Sequence, residues 1–172
     1  MANDDTPTSG FKIYRAKDAQ ELMATGAMTI EPISEVQRSG LRKMVEAGYL
    51  EGDEVKVLVD IPGFSLAHAW LKKSYPLMLH THDSDCLYYV VAGSLKIGTE
   101  ELGARDSFFV PANVPYTYKP GPDGVEVLEF RHSGTFNFVN LAKGAAYFER
   151  AAEIVAANAS DWKVATPPSV KA

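Results

Sequence analysis

The chain has only one cysteine, Cys86, among its 172 residues, so it cannot form an intrachain disulfide. It contains no apolar run near the roughly 20 residues that cross a bilayer, and its polar, acidic start differs from a secretory signal. Basic residues number 17 against 22 acidic ones, and the formal charge of -5 disfavours a nucleic-acid or anionic-membrane partner. We therefore expect a cytoplasmic protein that binds neither nucleic acid nor membrane.

Helical patterns are confined to the two ends of the chain. Residues 1–10 are rich in Asp, Thr, Pro and Ser and predict a disordered leader, and residues 11–54 predict an N-terminal extension with short helices, one of them capped by Ser34. Residues 142–172 predict an alanine-rich helix followed by a frayed tail. No linker or internal repeat divides the chain, which indicates one domain.

The middle of the chain, residues 55–141, has the pattern of an all-β protein. Short runs rich in Val, Phe, Tyr and Leu are separated by Gly, Pro, Asn and Asp, including the turn-like cluster PGPDG at 120–124. Long helical patterns do not interrupt these runs, which argues against a parallel α/β sheet. Short strands at regular spacing predict a β-sandwich or β-barrel.

Two histidines, His80 and His82, enter the strand that ends at Gly93. Because side chains alternate along a strand, both should share one face with Cys86 and Tyr88. Two imidazoles on one face are able to bind one divalent transition metal, with Fe, Zn, Mn and Ni as candidates. Two hydrogen-bonded histidines without a metal are the alternative, and the pair alone does not decide between the two interpretations.

The spacing around these histidines resembles the first motif of the cupin superfamily. In that motif a glycine, two histidines, a glutamate and a closing glycine stand where this chain has Ser74, His80, His82, Cys86 and Gly93. The chain keeps both histidines and the closing glycine. It departs from the pattern at Ser74 and at Cys86, which occupies the place of the family's glutamate ligand.

The run RDSFFVPANVPYTYKP, which starts at Arg105, resembles the second cupin motif. Pro111 stands at the family's proline, Asn113 replaces a glycine, and Tyr116 takes the place of the family's third histidine ligand. Asparagine is one of the few residue types that tolerate a positive φ. The resemblance covers residues 55–141 and implies an all-β, cupin-like jelly-roll β-barrel with an N-terminal extension and a C-terminal helix.

With this resemblance, the candidate metal ligands are His80, His82 and Cys86, and the candidate catalytic residues are Tyr116 and His132. A cysteine binds metal strongly once it is deprotonated, but a buried cysteine often serves only as a small apolar residue. For Tyr116, phenolate ligation to ferric iron is one interpretation, and an aromatic pocket wall is the simpler one. The alternative for His132 is a surface residue at a strand end.

Other residues are candidates for the same interior. A third nitrogen ligand could come from His68 or His132, although His68 could also be a hydrogen-bonded core histidine. Asp83 and Asp85 could supply an oxygen ligand or orient an imidazole, and two solvated loop acids are the alternative. Strand parity gives the substrate pocket these candidate residues: His68, Tyr88, Phe108, Tyr118 and Phe130.

Three classes of function agree with these residues. The first is a metal-dependent enzyme, either dioxygenase-like or a Lewis-acid isomerase or lyase. Its substrate would be a small organic molecule, and an aromatic one is a candidate. The second is a metal-free cyclase or isomerase in which Tyr116 or a histidine is the acid or base. The third is a module that binds a small molecule without chemistry. We also expect a homodimer, the commonest oligomer.

Overall fold

The structure is a computed structural model that describes residues 10–170, so the predicted leader lies, apart from Gly10, outside the described residues. The α-helices are α1 (Leu22–Thr25), α2 (Glu35–Ala47) and α3 (Ala145–Val164). The strands are β1 (Gln20–Glu21), β2 (Met28–Ile30), β3 (Asp53–Ile61), β4 (Phe64–Leu71), β5 (His80–Thr81), β6 (Cys86–Ile97), β7 (Glu100–Gly103), β8 (Ser107–Val110), β9 (Lys119–Arg131) and β10 (Phe136–Asn140). Within residues 10–170, no helix has the length and apolarity needed to span a membrane.

The strands form two sheets that share one interior. The larger sheet has the order β1-β3-β4-β9-β6-β7, with β8 also paired to β6, and its strand pairs are antiparallel. The smaller sheet has the order β2-β10-β5. The larger sheet does not close on itself into a barrel, and the two-sheet arrangement is that of a jelly roll. The predicted all-β, cupin-like fold class is therefore confirmed.

The long strand β9 crosses the segment PGPDG, which the sequence pattern interpreted as a turn between strands. Its register with β6 jumps from Gly93 opposite Val125 to Leu95 opposite Pro120, so the residues between bulge out of the ladder while the strand continues. The predicted interruption is therefore wrong. A bulge and a turn use the same Gly and Pro residues, and only the pairing partners distinguish them.

The N-terminal extension supplies strands as well as helices. In it, β1 pairs with β3, and β2 pairs in parallel with β10. The predicted cap of α2 is present. The Ser34 hydroxyl accepts a hydrogen bond from the Gln37 backbone N–H, and the Gln37 side-chain oxygen accepts one from the Ser34 backbone N–H. The Gln37 amide also donates to the Asn140 carbonyl at 2.8 Å. This bond fixes α2 against the end of β10.

The C-terminal helix α3 is present as predicted, and the described residues after it, 165–170, end in a short turn at Pro168–Val170 that is hydrogen-bonded to β9. The last two residues of the predicted tail, 171–172, lie outside the described residues. The backbone N–H of Ser169 donates to Oε1 of Glu126 at 2.7 Å, and the Ser169 hydroxyl donates to Oε2 at 3.0 Å. Pro168 is buried beside them. Glu126 is a buried carboxylate on the outer face of β9, and such a group requires donors. The two hydrogen bonds from Ser169 meet this requirement and hold the terminal turn against β9.

Candidate functional site

The structure brings His80 and His82 together, both buried, beside Tyr116. His80 exchanges both backbone hydrogen bonds with Tyr116, at 3.1 and 3.0 Å, and pairs on its other side with Asn140 of β10. The centroids of the two imidazole rings are 4.9 Å apart, and the residues are only 3% and 8% exposed. The short strand β5 is therefore held on both sides, which keeps the two rings in place.

Both imidazoles present the same nitrogen to a backbone carbonyl. Nδ1 of His80 donates to the Met78 carbonyl at 2.7 Å, and Nδ1 of His82 donates to the Asn137 carbonyl at 2.5 Å. A carbonyl oxygen only accepts, so Nδ1 carries the proton and Nε2 keeps its lone pair. Burial lowers the pKa of His82 and lowers that of His80 to about 4. At neutral pH the site therefore contains two uncharged rings, each with a free Nε2 acceptor.

Tyr116, at the place of the third cupin histidine, is a hydrogen-bonded phenol. Its ring centroid lies 4.3 Å from that of His80, and its hydroxyl bonds to the hydroxyl of Tyr88. Burial, reinforced by the nearby charge of Glu129, raises the pKa of both phenols above the usual range. Both tyrosines are thus protonated and able to donate.

Two charged residues of β9 that the sequence analysis missed, Glu129 and Arg131, lie in the same interior. Nη1 of Arg131 donates to Oε2 of Glu129 at 2.7 Å, and Nη2 lies 3.5 Å from the Tyr88 hydroxyl. The guanidinium stacks on Phe136, 4.0 Å from the ring centroid, and the edge of this ring meets His82 with 5.1 Å between centroids. A buried ion pair therefore borders the histidines and tyrosines.

The structure does not bring His68, Phe130 and His132 to this set. His68 bonds through Nε2 to Glu126 at 3.0 Å, and Phe130 contacts Phe64 with 6.5 Å between ring centroids. His132 follows the last residue of β9 and borders an exposed cleft. The parity assumed for β9 was inverted, because its inward face carries Glu129 and Arg131 rather than Phe130.

Three aromatic residues predicted to line the pocket do lie together: Tyr88, Phe108 and Tyr118. The rings of Tyr88 and Phe108 stack with centroids 4.5 Å apart, and Tyr118 meets Phe108 edge-on at 5.9 Å. Burial raises the pKa of Tyr118 well above its usual value, so this phenol is also neutral. These rings form an apolar wall beside the tyrosine pair.

Cys86 faces the interior, but its chemistry is that of a thiol. Burial raises its pKa to about 12, so it is protonated at neutral pH, and its Sγ donates weakly to the Leu87 carbonyl at 3.9 Å. The neighbouring acids serve the loop: Asp83 accepts from the Asn137 backbone N–H at 2.8 Å. Asp85 likewise accepts from the Ala112 backbone N–H at 2.7 Å. The two aspartates are thus engaged by the loop backbone.

The donor set is incomplete for a resident metal of the cupin type. Protein sites for zinc and non-haem iron usually supply three or more ligands. Among residues 10–170, no three His, Cys, Asp or Glu side chains surround a common point. The predicted ligand set of His80, His82 and Cys86 is therefore not assembled, and two histidines remain.

Comparisons with known proteins give structural likenesses only. No protein-family model matches the chain, and no curated protein does. An RmlC-like cupin from Shewanella frigidimarina is 25% identical over 47% of this chain and 76% of its own, with a TM-score of 0.42. The polyketide cyclase RemF from Streptomyces resistomycificus is 20% identical over 57% of this chain and 77% of its own, with a TM-score of 0.48. A variant of oxalate decarboxylase from Bacillus subtilis is 18% identical over 52% of this chain and 28% of its own, with a TM-score of 0.48.

The backbone itself retains the cupin motif positions where the sequence departs from the family. Within residues 10–170, the non-glycine residues with a positive φ are Ser74 at 62°, Arg105 at 81° and Asn113 at 64°. Ser74 and Asn113 stand where the family has glycine, and Arg105 begins the second motif. The chain therefore has glycine-type turns at these positions without the glycines. These turns, the two histidines and the two-sheet jelly roll match the cupin pattern that the sequence resembles.

Proposed function

We propose that this chain is a metal-independent enzyme that moves a proton on a small organic carbonyl compound held in the interior. The observation that carries the proposal is the neutral imidazole of His80 beside the protonated phenol of Tyr116, with ring centroids 4.3 Å apart. Enolisation requires a base for the C–H proton and a donor for the oxygen that becomes negative. The two side chains supply these functions next to each other.

In this mechanism, Nε2 of His80 takes a proton from the carbon next to the carbonyl. The electron pair of the broken C–H bond moves to the carbonyl oxygen, which accepts a hydrogen bond from the Tyr116 hydroxyl. Tyr88 can accept from Nη2 of Arg131 and donate to the oxygen of Tyr116, which leaves the Tyr116 proton free for the substrate. Return of the proton from His80 to another carbon gives an isomer.

The low basicity of His80 limits the substrates. A base works best when its pKa is near the operating pH, and burial lowers the pKa of His80 to about 4. Such a base is uncharged and available at neutral pH, but it removes only fairly acidic protons. We therefore propose a substrate whose C–H bond is activated by more than one electron-withdrawing group, with an apolar or aromatic part for the wall of Tyr88 and Phe108.

The test is proton exchange rather than turnover of a known substrate. We expect wild-type protein in D₂O with EDTA to accelerate deuterium uptake into at least one member of a panel of aryl β-diketones and aryl β-keto acids, followed by ¹H NMR. His80→Gln and Tyr116→Phe should each slow this exchange by about 10²- to 10⁴-fold, because each removes one partner of the proton transfer.

The matched control is His132→Gln, which removes a histidine outside the interior and should exchange at the wild-type rate. If no compound exchanges faster than in buffer, or if both interior variants keep the wild-type rate, the proposal is wrong. In that case, the binding module without chemistry becomes the better interpretation.

A metal-dependent reaction is the second candidate, because both histidines donate through Nδ1 and leave Nε2 free, as histidine ligands do. From the incomplete donor set, we expect protein purified without added metal to contain far less than one metal per chain by elemental analysis. His80→Ala and His82→Ala should not change that content.

Near-stoichiometric metal that disappears in both histidine variants would contradict this expectation and support a metal-dependent function. Its loss in Cys86→Ser as well would make the thiolate a ligand.

The homodimer, the cytoplasmic location and the absence of nucleic-acid and membrane partners stay predictions from the sequence. Size-exclusion chromatography with light scattering tests the first of them.

A further inference from the structure

Arg131 carries more hydrogen-bond donors than its surroundings satisfy. A guanidinium has five N–H groups, and this side chain is only 2% exposed. Nη1 donates to Glu129, while Nη2 has a contact of 3.5 Å with the Tyr88 hydroxyl, at the limit of a hydrogen bond. Nε is buried and has no partner within the described chain. Buried polar groups in folded proteins are normally paired, so this donor requires an explanation.

The unsatisfied donors lie on one edge of the guanidinium. Nε and Nη2 point their N–H bonds to the same side, and this pair forms two parallel hydrogen bonds with a carboxylate. Glu129 does not use this pair, because its hydrogen bond is to Nη1. The ion pair thus neutralises the charge of Arg131 and leaves its two-pronged edge without a carboxylate.

The free edge of Arg131 lies in the same interior as His80 and Tyr116, the proposed base and hydrogen-bond donor. Stacking on Phe136 fixes the plane of the guanidinium, and the same ring contacts His82. The Nη2 side of the edge leads to Tyr88 and through it to Tyr116. A ligand that reaches Tyr116 is therefore close to Arg131 as well.

We propose that the molecule bound in this interior carries a carboxylate, which accepts hydrogen bonds from Nε and Nη2 of Arg131. The inference rests on the proposed function, since the same interior has to admit the ligand, and it specifies the substrate class as small carbonyl acids. Asp83 and Asp85, which follow His82 in the chain, oppose the approach of an anion, but both are hydrogen-bonded to backbone N–H groups.

The experiment compares acids with their uncharged amides. Isothermal titration and thermal-shift measurements in EDTA use benzoate and phenylacetate against benzamide and phenylacetamide, which have the same shape without the charge. We expect at least one acid to bind wild-type protein and to raise its Tm, and the matching amide to bind at least tenfold more weakly. Arg131→Lys keeps the charge but loses the two-pronged edge, so it should weaken acid binding at least tenfold.

The outcomes separate this inference from the proposed function. His80→Gln should still bind the acid although it no longer exchanges protons. Acid binding without exchange in any carbonyl acid would support the carboxylate site and overturn the proposed reaction. Exchange with equal affinity for acid and amide, or with no acid bound, would overturn the carboxylate site. The acid–amide comparison requires no variant, so it decides the matter even if Arg131→Lys does not fold.

Discussion

We expect Gly93→Ala to lower the free energy of unfolding by about 3 kcal/mol or more, measured by urea denaturation. Gly93 is the closing glycine of the first cupin motif, and its φ is +74°, a conformation that L side chains rarely adopt. A Cβ at this position would collide with the carbonyl oxygen of Gly124 on β9. Gly93 is paired with Val125 in the β6–β9 ladder, and Gly124 directly precedes Val125, so relief of this collision would displace the backbone of the ladder.

The control for this substitution is Gly63→Ala. Gly63 has nearly the same φ, +75°, but no atom lies within 4 Å of an added Cβ. Gly63→Ala should therefore lower the free energy of unfolding by only about 1 kcal/mol, the cost of the backbone conformation alone. If the two variants were equally destabilised, the contact with Gly124 would not be the reason for a glycine at position 93.

The second large effect is the dependence of stability on pH that comes from His80. Its pKa falls from an ordinary value of 6.5 to about 4 because burial penalises the charged ring. Between these values the unfolded chain binds a proton that the folded protein does not. The free energy of unfolding should therefore fall as the pH is lowered through this range, by about 3 kcal/mol from His80 alone.

A comparison of wild type with His80→Gln is required, because Asp53 acts in the opposite direction. Burial raises the pKa of Asp53 to about 6, so its contribution to stability increases as the pH falls from 6. Urea denaturation at several pH values in EDTA should give a wild-type curve that falls more steeply toward pH 4 than that of His80→Gln. Equal slopes for wild type and His80→Gln would contradict the prediction.

Half of the interior could be predicted from the sequence because β6 alternates regularly. Cys86, Tyr88 and Val90 are at most 2% exposed, whereas Leu87 and Tyr89 between them are 43% and 37% exposed. The motif spacing then located His80, His82 and Tyr116 relative to this strand. Alternation was sufficient for β6, and motif spacing was needed for His80, His82 and Tyr116, because β5 has both residues buried and Tyr116 lies outside the named strands.

Strand β9 could not be predicted in the same way, because both of its faces are covered in the middle. Val125, Glu126 and Val127 are all buried, since the terminal turn at Pro168–Val170 covers the outer face. The alternation that would reveal parity is absent, and the charges of Glu129 and Arg131 suggested a solvent-facing side. Only the pairing of the two charges on one strand face explains why they are inside.

The position of β9 between β4 and β6 also has a consequence for folding. Arg131 pairs with Ser65 of β4, while Phe130 pairs with Leu87 of β6, so the sheet cannot be completed before this late strand arrives. Such non-local pairing makes folding slow, on a timescale of roughly milliseconds to seconds. Because Glu129 and Arg131 arrive with β9, the interior acquires its charged residues at the step that joins the two halves of the large sheet.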